Sequence, residues 1–130
     1  MEERVKIEIE MLRTRYPDLE ISQDEKWVRI PSYSLPADWK PQATDVCFQI
    51  PVGYPGAPPY GIYVPVGLLF QDKHPANSYT EPAPAQPPFP GTWAIFSWQP
   101  VQWFPKAEPV SGSNLLNWVI GFMERFREGI

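Results

Sequence analysis

An α+β fold is predicted by three features of this 130-residue sequence: a helical apolar stripe at each end, short extended runs between them, and a proline-built corner joining two of those runs. A sheet has an apolar face that must be covered, and helices at the two ends of the chain supply the cover. The expected architecture is an antiparallel meander of about four strands flanked by an N-terminal and a C-terminal helix, with a proline-rich loop near 71–91. The length suits one domain over 1–130 with a single buried core.

Residues 2–16 carry Val5, Ile9, Leu12 and Tyr16 at helical spacing, a stripe that Ile7 and Met11 widen. Pro17 ends the helix, because a residue before proline avoids the helical region. Leu19 and Ile21 mark a short strand over 19–22, and Trp27-Val28-Arg29-Ile30 a second, joined by the polar turn Gln23-Asp24-Glu25-Lys26. Residues 31–41, punctuated by Pro36, Asp38 and Pro41, read as a loop. Val46, Phe48 and Ile50 then alternate with Cys47 and Gln49, the pattern of a strand with one apolar face. Pro51, Pro55, Pro58 and Pro59, with Gly53 and Gly56, force a corner, since proline fixes its own φ and offers no backbone donor. Ile62, Tyr63 and Val64 resume the extended pattern, and 67–70 make a further short strand.

Six prolines lie between positions 75 and 90, and no apolar periodicity survives there. The segment 71–91 is therefore either an extended, polyproline-like flap or partly disordered; connections of this length are usually functional or mobile. Residues 92–98, Thr-Trp-Ala-Ile-Phe-Ser-Trp, form a buried extended run. Ser113 or Asn114 caps the second helix, whose stripe is Leu115, Trp118, Val119, Phe122 and Phe126, with Met123 at its edge. Arg125 and Arg127 complement the negative end of that helix, and Gly129 ends it.

The composition excludes several classes of function. A net charge of −4 and a pI near 4.9 argue against nucleic acid, whose phosphates need a basic footprint. No apolar run is long enough to span a membrane, and no signal-peptide core follows Met1, so the expected location is cytoplasmic. One cysteine, Cys47, and one histidine, His74, rule out an internal disulfide and leave no thiolate-rich or His-based metal site; no cofactor is expected. Between 41 and 105 the only charged residues besides His74 are Asp45, Asp72, Lys73 and Glu81, so the middle is an apolar, aromatic body.

An ordered set of motifs runs through that body. It comprises Trp27-Val28-Arg29-Ile30, Leu35-Pro36-Ala37, Ile50-Pro51, Tyr54-Pro55, Pro58-Pro59, Trp93 with Ser97, and Trp103-Phe104-Pro105. Over roughly residues 20–125 this order resembles the ubiquitin-conjugating enzyme (UBC) superfamily. It is most similar to the divergent bacterial branch called prokaryotic UBC family E, found beside ubiquitin-like proteins and their activating enzymes. The resemblance implies a UBC-like fold, with a ubiquitin-like protein and its activating enzyme as partners. It makes Tyr54, Pro55, Pro58, Pro59, Trp103 and Pro105 the candidate binding residues.

Conjugating enzymes hold their cargo as a thioester on a cysteine, because a thiolate is both a good nucleophile and a good leaving group. In the family this cysteine precedes the Trp-x-Pro motif by about eight residues. Here the positions in reach are Ala94, Ile95 and Ser97, and none is cysteine. With Gly91 set on the glycine that often precedes the family's cysteine, Ala94 takes the cysteine's place. Ser97 could accept a carboxyl as an oxyester only with a base beside it, and Trp98-Gln99-Pro100 follows where the family often supplies a histidine. His74-Pro75-Ala76-Asn77 is similar to the family's His-Pro-Asn motif, whose asparagine steadies an oxyanion, but carries an extra alanine. Cys47 is placed mid-strand in the opposite phase to Val46 and Phe48, the usual setting of a small buried hydrophobe.

The expected role is thus a pseudo-conjugating component that binds and positions the ubiquitin-like protein or its activating enzyme. Three other readings fit the same residues: an active conjugating enzyme using Ser97 or Cys47, an interaction domain resembling the RWD branch of the same fold, and an adaptor acting through its proline-rich segment.

Overall fold

The computed structural model describes residues 1–129. Helix α1 (Glu3–Arg15) leads into β1 (Glu20–Ile21), β2 (Trp27–Ser34), β3 (Trp39–Lys40), β4 (Ala43–Gln49), β5 (Ile62–Pro65), β6 (Leu69–Phe70), β7 (Tyr79–Thr80) and β8 (Trp93–Phe96). A single 3-10 turn (Pro109–Ser111) precedes helix α2 (Leu115–Glu128). The result is an α+β fold whose main sheet is antiparallel, with six strands in the order β1-β2-β4-β5-β8-β7. The strands β3 and β6 form a separate two-stranded ribbon, Trp39 opposite Phe70.

The first four strands of the main sheet are the expected meander. Of the two added strands, β8 falls in the extended run expected over 92–98, and β7 in a segment whose propensity leaves it obscure. Strand β8 lies between β5 and the edge strand β7, with Ile62 opposite Phe96 and Val64 opposite Ala94. Strand β7 lies inside the proline-rich segment and pairs only through Tyr79–Phe96 and Thr80–Ile95.

The loop expected over 31–41 is in part strand. Pairing of β2 with β4 continues through Tyr33–Thr44 and Ser34–Ala43 after a bulge between Ile30 and Tyr33. The bulge accommodates Pro31, which has no N–H for the ladder. Ser32 takes a left-handed φ of 56° there, and its N–H donates to Asp45 Oδ1 at 3.1 Å.

Both helices cover the same face of the sheet. Their stripes, Val5, Ile9 and Leu12 on α1 and Leu115, Trp118, Val119, Phe122 and Phe126 on α2, join Val28, Ile30, Val46, Phe48, Ile62, Val64 and Phe96 in one buried cluster. Ile7, expected to widen the α1 stripe, faces solvent, while Glu8 is fully buried. Asn114 is the α2 cap: its side chain accepts from Asn117 N–H at 2.8 Å, and the Asn117 side chain accepts from Asn114 N–H at 3.1 Å. Such a reciprocal box satisfies two otherwise orphaned donors.

The opposite face of the sheet is buried too, which its alternation alone did not announce. Cys47, Trp27, Tyr63 and Trp93 meet Ala83 and Phe89 in a second cluster. The segment 71–91 therefore follows a defined path, and its second half lies across the outer face. Ala83 N–H donates to Trp93 C=O at 2.8 Å. The Gln86 side chain accepts from Trp93 N–H at 2.8 Å and donates to Trp93 C=O at 2.9 Å. Trp93 Nε1–H reaches Phe89 C=O at 3.3 Å. One glutamine thus bonds both backbone groups of Trp93, at the end of β8 that β7 does not reach.

Candidate functional site

The proline corner between β4 and β5 is built by local turns. Tyr54 N–H donates to Pro51 C=O at 3.1 Å and Ala57 N–H to Gly53 C=O at 2.9 Å. These turns direct the Tyr54 side chain inward, where its hydroxyl donates to the Glu8 carboxylate of α1. Burial, and donation to that carboxylate, push the Tyr54 phenol well above its ordinary pKa, so it stays a donor at neutral pH. The same carboxylate accepts from Arg4 Nε at 2.7 Å and from Leu115 N–H, in the first turn of α2, at 2.7 Å. One buried Glu8 therefore joins the corner to both helices, and its negative charge faces the positive end of α2.

Trp103 closes the arrangement from the other side. Its indole N–H donates to Pro55 C=O at 2.8 Å, and its ring lies 5.9 Å from that of Tyr54. The two sequence motifs, Tyr54-Pro55 and Trp103-Phe104-Pro105, are thus brought together although 48 residues separate Pro55 from Trp103. Of the residues expected to bind a partner, Tyr54 and Pro59 are buried, and Pro55, Pro58, Trp103 and Pro105 are half-buried. They form the frame. What the two loops present to solvent is Val52, Tyr60, Val101 and Phe104, large apolar residues exposed by 53% to 99%. Val52, Tyr60 and Val101 lie near the motif residues and Phe104 between Trp103 and Pro105, so the candidate binding positions do not mark them.

The candidate chemical residues divide between two places. Ser97 follows β8 directly, and strand alternation turns it outward as Phe96 turns in. Its backbone N–H donates to Ser78 C=O at 2.8 Å, which sets Asn77 and Ser97 on adjoining segments. Among the described residues the Ser97 hydroxyl makes no hydrogen bond; only its amide does. Asn77 is turned away: its amide donates to Glu128 at 3.3 Å, and its carbonyl accepts from Arg125 at 2.7 Å. That geometry is an anchor for the end of α2 and leaves the Asn77 amide occupied. His74 is exposed, with Nδ1 3.9 Å from Glu81 Oε2, and makes no hydrogen bond to Ser97. A serine without a base in reach is a poor nucleophile.

Cys47 lies elsewhere, opposite Tyr63 in the middle of the sheet and 0% exposed. Burial pushes its thiol far above the ordinary range, against a smaller downward pull from Arg29. A thiol so placed is neither ionised nor reachable, so the structure argues against Cys47 as an acceptor. In the folded protein, Cys47 will react with a small aromatic disulfide at least about a hundredfold more slowly than the thiol of an unfolded chain. Labelling at the unfolded rate under native conditions would contradict the packing described.

Arg125 also departs from expectation. It lies three residues from Phe122 and seven from Trp118, on the buried face, and is only 2% exposed. Its guanidinium sits 4.4 Å from the Phe96 ring centroid and donates to Gly129 C=O at 2.7 Å as well as to Asn77. Desolvation lowers its pKa; carbonyls and an aromatic face replace part of the water it has lost, while Nε is buried without a partner.

Among the described residues, no cluster of three or more His, Cys, Asp or Glu side chains could hold a metal ion, and no helix is long and apolar enough to cross a membrane. No protein-family model, no curated protein and no solved structure matches the chain.

Proposed function

We propose that this chain is a UBC-like, pseudo-conjugating component of a bacterial ubiquitin-like modification pathway. It binds and positions the ubiquitin-like protein or its activating enzyme without carrying the cargo covalently. The observation that supports this reading best is the joining of the Tyr54-Pro55 corner to the Trp103-Phe104-Pro105 loop. These are two motifs of the resemblance, and their frame holds exposed Val52, Tyr60, Val101 and Phe104 in place. A rigid frame lowers the ordering cost of docking, and large apolar residues supply the contact area. The absence of an activated nucleophile at Ala94, Ile95 or Ser97 favours positioning over transfer.

Calorimetric titration with a bacterial ubiquitin-like protein and its activating enzyme tests the proposal. The expected result is a complex with Kd of about 10 μM or tighter for at least one of them. Phe104→Ala should weaken it roughly tenfold, as loss of an interface anchor does, while the circular dichroism spectrum stays unchanged. Absence of binding at tens of micromolar would overturn the reading.

A second reading rests on one observation: Ser97 is exposed and tied to the segment carrying Asn77. In that reading the ubiquitin-like carboxyl forms an oxyester on Ser97. Its mark is a hydroxylamine-labile adduct that disappears in Ser97→Ala.

A further inference from the structure

On the helix side of the sheet, away from the proline corner, a groove of about 660 Å³ opens between the end of α1, the end of β2 and the outer flank of α2. Its walls carry Arg15 from α1, Ile120, Met123 and Arg127 from α2, and Ser32 to Ser34 from β2. Two features of this groove are unusual for a chain with a net charge of −4.

The first is an open sheet edge. Strand β1 pairs only with Val28 and Arg29 of β2, so the outer edge of β2 beyond the bulge has no strand beside it. On the inner side, Tyr33 faces Thr44 and Leu35 N–H donates to Gln42 C=O at 2.9 Å. Antiparallel ladders alternate, so Tyr33 and Leu35 direct their backbone groups at β4, and Ser34 between them directs its N–H and C=O outward. A sheet edge of this kind accepts an extended peptide as one more strand.

The second feature is charge. Arg15 and Arg127 face the groove from opposite helices, and neither has a carboxylate partner among the described residues. Both lie close enough to the Tyr33 phenol to pull its pKa downward against the larger upward push of burial. Glu124 also lines the groove, leaving two cations to one carboxylate. Guanidinium groups bind carboxylates in paired, planar geometry.

We propose that this groove docks an acidic peptide strand, which pairs with the Ser34 edge of β2 and sets a carboxylate side chain between Arg15 and Arg127. Ile120, 43% exposed, and Met123 receive an apolar side chain of the same strand. The site is separate from the proline corner, so its occupant can be held while the corner is engaged.

The test uses three blocked hexapeptides added to the isotope-labelled full chain at low salt, followed by amide chemical shifts. One alternates valine and glutamate, the second replaces each glutamate by glutamine, and the third is the acidic peptide with its backbone nitrogens methylated. The acidic peptide should shift the amides of residues 32–34 saturably, and the other two should bind at least tenfold more weakly. Arg15→Gln with Arg127→Gln, both at exposed positions, should weaken the acidic peptide by at least tenfold. The proposal is overturned if the shifts fall elsewhere or are absent at millimolar peptide. Equal binding of the glutamine or the methylated peptide would also overturn it, as would binding unchanged in the double variant. Equal shifts from inorganic phosphate alone would show a simple anion site and equally overturn strand docking.

Discussion

Glu8→Ala should destabilise the protein by about 3–5 kcal/mol, the cost typical of removing one partner from a buried charged network. The carboxylate is 0% exposed and accepts from Arg4, Tyr54 and Leu115 at once. Its removal strands a phenol and the first backbone N–H of α2, and leaves the Arg4 guanidinium, one nitrogen of which is already buried without a partner, facing a cavity. For a chain of this size the loss corresponds to a fall in Tm of roughly 10–20 °C. Glu8→Gln keeps the shape and one acceptor, and should cost less, about 1–2 kcal/mol. Tyr54→Phe should cost a similar amount, and the Glu8→Ala, Tyr54→Phe pair should be clearly non-additive because both act on one bond. Chemical denaturation of the four proteins checks this. Additive losses would mean that the corner and α1 are not coupled through Glu8.

Trp39→Ala is expected to match that effect, at about 3–5 kcal/mol. Trp39 is fully buried, although it lies in a segment that reads as loop. Its indole N–H donates to Phe126 C=O at 2.8 Å near the end of α2. Its ring meets Phe70, Phe96 and Phe126 at centroid distances of 5.1, 6.2 and 5.7 Å in edge-on geometry. Trp39 therefore pins the small β3–β6 ribbon to the last turn of α2. Trp39→Phe retains much of the packing and frees one carbonyl, at about 1–2 kcal/mol. An alanine variant as stable as the parent would show that the ribbon is peripheral.

Trp39 also shows why parts of this fold were hard to read in advance. The two helices were legible because a 3.6-residue period repeats over several turns, and both run where the stripes place them. Two-residue strands such as β3 and β7 have no period to detect; tertiary partners create them. The strand β2 runs on through Pro31 because a bulge absorbs the missing donor, a solution that punctuation by proline conceals. Glu8 was detectable in principle. It sits three residues after Val5 and four before Leu12, inside the apolar stripe, where a carboxylate must have buried partners. Arg125 carries the same signal among Trp118, Phe122 and Phe126, yet a basic residue in a last helical turn is so commonly solvated that its charge misleads.

The candidate site was legible to a different degree. The motif residues Tyr54, Pro55 and Trp103 meet, which their order along the chain does not announce, and they turn their polar groups inward and act as a frame. The side chains that reach solvent are their neighbours, which no spacing rule marks. Cys47 was placed on the face opposite Val46 and Phe48 by simple alternation. That the face is buried follows from the path of the proline-rich segment, and only the pairing of Ala83 and Gln86 with Trp93 fixes that path.

The proposed role is to bind and position a ubiquitin-like protein or its activating enzyme without holding the cargo covalently. Reconstitution with the cognate activating enzyme, the ubiquitin-like protein and ATP, read by intact mass and by co-elution, tests it most directly. The expected result is an unchanged mass for this chain together with co-elution of a partner. A covalent adduct on this chain, mapped to Ser97 or any other residue, would contradict the claim and make the protein a conjugating enzyme in its own right.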